Sequence, residues 1–439
     1  MLFVIGGGLL LGWSAVNVCA AEPLFEPLPK HQTWHWDMTA GFDSYLHSYA
    51  LAIEDTTETI AEFMVQGGVE GRSDYGQENR WRMRAEASAG TELYRQRIEA
   101  EYRHLGSDRI DRVRFLGSFR GRQYREKTEY SLSSNNWEGR LEGRVAPLVG
   151  KRMKLELRGW AGRIDYDTPS TLEVDHDDLG GGAFIRSTNT EQTTWGLGAR
   201  RGHRAYPDSS SIDRDTWSVE GDLDTRDDRN QNMRGFHKSE RRVVRDETVR
   251  PSAWTHWTDL GGALSLGQGQ IFLEVQSETW QYDRETDVYF NSNRIEAHAG
   301  YRWGDILTAT WKLGLAAERL DAGDSPEQYG QLGLRAGVES YGAAVGGSLT
   351  LEYGRRNYEQ GVVDLAPVGV ELQPSDEFSD DTVALYTDFD YWKIWLIGTW
   401  RLSDVIDLDV MANYEPESHT ENSDDSALGF ASLRLRWRP

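Results

Sequence analysis

A chain of 439 residues with 48 Lys+Arg against 71 Asp+Glu carries a formal charge of −23. That balance excludes a basic nucleic-acid binder, whose phosphate affinity comes from Lys and Arg. An acidic disordered chain is excluded by 11% aromatic residues, including 17 Trp and 19 Tyr.

Met1 to Ala21 form an apolar segment ending in small residues, the pattern of a secretory signal peptide, with an N-terminal membrane anchor as the alternative. Cys19, the one cysteine, lies in it, so the mature chain offers no disulfide, Cys nucleophile or Cys-based zinc site. Residues 22–35 hold Pro23, Pro27 and Pro29 and read as an extended segment. From residue 36 to 439 the chain reads as one domain.

The dominant signal there is alternation with period two. In Arg80 to Ala87, Trp81, Met83, Ala85 and Ala87 alternate with Arg80, Arg82, Arg84 and Glu86. Side chains alternate across a strand, so such segments are two-faced strands. The pattern predicts strands near 36–46, 60–72, 79–89, 92–104, 110–122, 123–133, 137–146, 152–164, 179–188 and 192–203. It continues near 214–225, 253–266, 270–281, 293–303, 305–317, 329–340, 343–355, 382–402, 405–414 and 427–437. Tight turns at Trp303-Gly304-Asp305, Ser340-Tyr341-Gly342 and Ser403-Asp404 alternate with long polar loops at 167–178, 226–252, 318–328, 356–381 and 415–426. No amphipathic helix is evident, which excludes parallel α/β folds. After the leader no apolar run of about 18 residues follows, so no transmembrane helix is expected.

One face of these strands uses Ala, Gly and aromatics, while the other is dense with charge of both signs. A soluble sandwich would instead bury a face of bulky aliphatics. A transmembrane barrel accounts for the pattern: the apolar face meets lipid and the charged face meets water. Aromatics cluster at strand ends, as expected of interfacial girdles: Trp36, Tyr45, Trp81, Tyr94, Tyr102, Trp160, Tyr166, Trp280, Tyr282, Tyr301, Trp303, Tyr353, Tyr358, Trp400, Tyr414 and Trp437.

With its leader, its long-short loop rhythm and its amphipathic last segment, the chain resembles bacterial outer-membrane β-barrel proteins of the porin-like superfamily. The resemblance implies an all-β, antiparallel, up-and-down transmembrane barrel, and the segment count with the even-number rule gives about 18 strands, within a range of 16 to 20. It also implies outer-membrane lipid and the barrel-insertion machinery as partners. Leu433, Leu435 and Trp437 match the terminal insertion signal, with Arg438 and Pro439 following the aromatic.

Charge is unevenly spread. Residues 71–163 carry 21 Lys+Arg and 13 Asp+Glu, whereas 359–425 carry 2 and 17. A charged inner face would therefore include an Arg-rich wall of Arg80, Arg82, Arg84, Arg97, Arg112, Arg114, Arg140 and Arg144, interleaved with Glu99, Glu101 and Glu142. The opposite wall would be acidic, with Asp388, Asp390, Asp407 and Asp409. Such a field would set selectivity for small polar or charged solutes; mutual neutralisation that only stiffens the wall is the alternative. The acidic clusters Glu173, Asp175, Asp177, Asp178 and Asp424, Asp425 lack the spacing of a calcium loop and read as solvated surface.

No enzyme motif has supporting context. Gly323-Asp324-Ser325 sits in a loop without strand–turn–helix surroundings, and no Walker loop, dinucleotide fingerprint or HExxH occurs. No cofactor or metal is expected. Three readings follow: a passive channel, the outer-membrane conduit of a polymer export system with periplasmic partners, or a closed surface-interaction barrel.

Overall fold

A computed structural model describes residues 33–437 apart from 51–54, 74–78, 92, 107–110, 125–135, 146–147, 150–152, 167–173, 188–191, 228–230, 287–288, 306, 324–326, 360–386 and 421–424. The strands are β1 (Thr33–Ala50), β2 (Asp55–Arg72), β3 (Asn79–Gly90), β4 (Leu93–Leu105), β5 (Asp111–Tyr124), β6 (Asn136–Val145), β7 (Leu148–Val149), β8 (Met153–Tyr166), β9 (His176–Ser187), β10 (Thr193–Ala205) and β11 (Arg214–Arg226). They continue as β12 (Asn232–Val244), β13 (Ala253–Leu266), β14 (Gly269–Tyr282), β15 (Ser292–Asp305), β16 (Ala309–Asp321), β17 (Tyr329–Tyr341), β18 (Val345–Tyr358), β19 (Phe389–Ser403), β20 (Ile406–His419) and β21 (Ser426–Trp437). A single 3-10 turn, Ser210–Ile212, is the one helical element among the described residues.

Apart from β6 and β7, which both pair with β8, each strand pairs antiparallel with its sequence neighbour, and β1 pairs with β21 from Met38↔Trp437 to Tyr49↔Ser426, so the sheet closes on itself. Because β6 and β7 run in one register on β8, the 21 segments make 20 staves. That is the upper end of the expected range rather than its centre. Closure removes every sheet edge, which hydrocarbon would not tolerate. For 20 staves spaced about 4.8 Å and tilted about 40°, the cylinder is about 40 Å across at the backbone.

Two departures concern strand placement. Residues 232–244, read as polar loop, form β12. Thr33, Trp34 and His35, assigned to the extended segment, open β1. The 123–133 segment falls largely at 125–135 and the signal peptide at 1–21, both outside the described residues.

Parity fixes the faces. Leu313 and Leu315 of β16 and Leu332 and Leu334 of β17 are all more than half exposed, as are Leu264 and Leu266 of β13. Their neighbours in sequence are charged or small. Exposed large apolar side chains on nearly every described stave, alternating with polar and charged ones, make a surface for lipid outside and water inside. Outward-facing Trp392 and Trp400 lie eight residues apart on β19, about 20 Å along the barrel axis at that tilt. Leu433, Leu435 and Trp437 also face outward. The aromatics correct one expectation: register turns Trp160, Trp280, Tyr282 and Tyr358 inward.

Both chain ends, the 404–405 turn and the 267–268 turn share one rim. The 245–252 loop, the described residues of 283–291 and the ends of β18 and β19 at Tyr358 and Phe389 share the other. On that second rim the loops are tied together: Asp283 N donates to Ser252 O at 3.0 Å, Asp246 N to Ser211 O at 3.0 Å, and Arg284 Nη2 to Glu247 O at 2.8 Å.

Candidate functional site: the charged inner face

The first wall spans β2 to β5. Arg80, Arg82 and Arg84 occupy inward positions on β3, Arg97, Glu99 and Glu101 on β4, and Arg112 and Arg114 on β5. Arg82 pairs with Glu70 at 2.8 Å, Arg84 with Glu86, Arg97 with Glu99, and Glu101 with both Arg103 and Arg114. Register sets Arg97 opposite Arg120 and Arg95 opposite Arg122, arrangements of like charge that the interleaved glutamates offset. The side chains of Arg82 and Arg97 remain 48% and 45% exposed, so their charge is open to the lumen. Arg140, Glu142 and Arg144 take backbone positions opposite Ser118, Leu116 and Arg114 on the same face; their side chains lie outside the description.

The acidic wall is not where the charge count placed it. From β5 to β20 is six staves around the ring, not the ten of a diameter. Asp409 pairs with Arg436 and accepts Thr399 Oγ1 at 2.8 Å, while nearly buried Asp407 lies 3.9 Å from Arg401. Each carboxylate is thus covered by a cation from a neighbouring strand. Asp390 sits outward, and Asp388 is in the adjoining loop, 3.7 Å from Arg355. The cluster read as solvated acid is also engaged. Asp178 holds Arg204 at 2.7 Å, and Asp175 accepts Tyr166 N at 2.7 Å.

A second wall, β8 to β11, is packed. Glu156 has no exposed side-chain surface and is enclosed by Lys154 at 2.9 Å, Arg158 at 2.8 Å and Arg186 at 3.8 Å. Buried Phe184 lies between the Arg158 and Arg200 guanidiniums, 4.2 Å and 5.1 Å from its ring centre. A third cluster on β15 to β19 has the same character. Glu318 accepts from Tyr329 Oη and Arg294 Nε, both at 2.6 Å, Arg356 stacks on Tyr329 at 4.0 Å, and Tyr391 Oη donates to Glu352 at 2.8 Å. Sequence reading missed this third cluster, because its partners lie 11 to 39 residues apart and meet only once register is known. Among the described residues no group of three or more His, Cys, Asp or Glu side chains forms a metal-sized cluster.

No protein-family model matches the sequence, and no curated protein does. Among solved structures the chain is similar to the copper transporter OprC, with a TM-score of 0.58 at 10% identity over 94% of this chain and 82% of that one. The siderophore receptor PirA from Pseudomonas aeruginosa matches with TM-score 0.49 at 9% identity, covering 94% and 81%. A BenF-like porin from Pseudomonas fluorescens Pf-5 matches with 0.44 at 10%, covering 94% and 100%. The likeness to OprC shows the fold: a large antiparallel β-barrel.

Proposed function

We propose that the chain is a porin-like channel of the bacterial outer membrane, through which small polar or charged solutes diffuse passively. One observation carries the reading: a closed ring of 20 staves presents aliphatic and aromatic side chains outward and solvent-accessible guanidinium inward. Arg82, Arg84, Arg97 and Arg114, with their neighbours on β3 to β6, supply a positive stretch of wall that favours anions. Leu433, Leu435 and Trp437 act as the terminal insertion signal. OprC, described by its name as a transporter, agrees in kind with this reading. Single-channel recording in planar bilayers tests it. The expected result is steady ion current from the purified protein alone, with chloride favoured over potassium. No current without an added periplasmic partner would favour a polymer-export conduit instead.

A further inference from the structure

Away from the arginine ladder, the inner face of β14 to β18 holds a depression of about 110 Å³ lined by Glu274, His298, Arg302, Lys312, Arg335 and Thr350. Glycine makes it possible. Gly314 and Gly337 lie in its lining, and Gly300 comes so near Gly314 that a Cβ on it would stand 2.8 Å from the Gly314 Cα. With no side chains there, the wall thins between long basic ones.

Its charge is unbalanced. Glu339 holds Lys312 at 2.8 Å, the lining carboxylate Glu274 is engaged by Arg234 at 3.4 Å, and Glu352, opposite Arg335 in register, accepts from Tyr391 Oη at 2.8 Å. Arg302 Nε donates to the Gln270 amide oxygen at 2.8 Å, and Arg335 Nη1 lies 3.1 Å from the His298 ring nitrogens. Among the described residues no carboxylate lies within 4.0 Å of the Arg302 or Arg335 guanidinium, unlike Arg82, Arg158, Arg204 or Arg294. Two guanidiniums with no carboxylate at ion-pairing distance in one concave spot form a receptor for an oxyanion, whose planar edge they can bind bidentately.

An apolar ledge adjoins it. Thr350 is in register with Trp395, and Ile397, one inward position further along β19, is in register with Met411. Both Trp395 and Ile397 face inward, yet they are 40% and 47% exposed. Apolar surface on a wetted, charged wall is unfavourable unless something apolar covers it. Two strand spacings, about 10 Å, separate Gly337 from Trp395 at the backbone, and the side chains narrow the gap.

We propose that depression and ledge form one subsite for a small amphipathic anion, its oxyanion head on Arg302 and Arg335 and its apolar body over Thr350 on Trp395 and Ile397. The proposal rests on the channel reading, since the solute reaches the site through the lumen. The test uses the full chain in nanodiscs, with hexanoate, hexyl phosphate, acetate and hexyltrimethylammonium followed by saturation-transfer NMR, and block of ion current in planar bilayers. Hexanoate is expected to bind at least tenfold more tightly than acetate, and the ammonium ion not to bind. A preference between hexanoate and hexyl phosphate then assigns the head as carboxylate or phosphate. R335Q is expected to weaken hexanoate at least tenfold. W395A is expected to erase its advantage over acetate while leaving acetate unchanged, each variant first shown to keep its folded, heat-modifiable band. Equal binding of hexanoate and acetate, or full binding by R335Q, overturns the subsite. Ion current without hexanoate binding sinks the subsite alone, and hexanoate binding without any ion current sinks the channel reading alone.

Discussion

The β2–β5 wall and the β8–β11 wall share the same alternation of Arg and Glu but differ in what the charges do. On the first, guanidiniums such as Arg82 and Arg97 stay nearly half exposed. On the second, Glu156 is fully enclosed by three cations, and one of these, Arg158, shares the ring of buried Phe184 with Arg200. Exposed pairs contribute little to stability because water and salt screen them. A buried carboxylate is different: once its partners have been desolvated, removing it strands them. The open wall therefore shapes the field in the lumen, whereas the packed wall holds the cylinder's form.

The largest expected effect breaks that contrast if it fails. Glu156→Gln leaves Lys154, Arg158 and Arg186 facing a neutral amide, and should cost about 3–5 kcal/mol of unfolding free energy. Glu99→Gln on the open wall should cost under about 1 kcal/mol. Urea unfolding of the two variants in the same detergent decides it, and equal losses would erase the distinction between the walls. Next in size, Tyr329→Phe removes one donor from buried Glu318 while Arg294 remains, a loss of about 1–3 kcal/mol in the same assay. Conductance should be unchanged in both Glu156→Gln and Tyr329→Phe.

The converse experiment concerns selectivity. A guanidinium about 7 Å from a passing ion in water contributes about 0.6 kcal/mol, or roughly two- to threefold in ion preference. Neutralising Arg82 and Arg97 to Gln should move the reversal potential in a KCl gradient toward cation preference by about that factor per charge. Stability should hardly change, and the shift should shrink as salt rises. An equal shift from Glu156→Gln would mean that the packed wall also sets the field.

Much of this architecture was legible in the sequence, because a strand between lipid and water must alternate. The exception explains itself. The outward positions of β12 are Met233, Gly235, His237, Ser239, Arg241 and Val243, with three polar side chains in succession at the centre, so no apolar half-pattern marked the strand. Its neighbours supply what lipid does not: His237 bonds Thr258 Oγ1 at 2.9 Å, and Ser239 meets His256 Nδ1 at 2.9 Å. The inward aromatics were misread for another reason. Trp280 shares parity with Glu278, so its inward face is written in the sequence even though it lies near a strand end. Pairings such as Tyr391 with Glu352 were beyond reach, since only cross-strand register brings them together. Charge counts located the arginine ladder but misplaced its counterpart, because a count along the chain says nothing about which carboxylates a neighbouring Arg covers.

The smallest effect tests whether the contrast extends to the loop-bearing rim. Arg241 reaches from β12 to Asp283, just beyond β14, with Nη1 2.8 Å from Oδ1, and this bond holds the Asp283 carboxyl below its ordinary range. An unfolded Asp titrates near about 3.9, so the tie is fully present above that pH and is lost as acid protonates the folded carboxylate below it. Between pH 5 and pH 2, hydrogen exchange in 283–291, corrected for intrinsic rate, should quicken modestly. Asp283→Asn should show the quickened rate already at neutral pH, with no further acid response. The group is largely exposed, so added salt should blunt the difference in the parent protein. A loop unmoved by acid would place its hold in the backbone bonds from Asp283 N to Ser252 O and Asp246 N to Ser211 O. In that case the electrostatic difference between the walls would belong to the lumen alone.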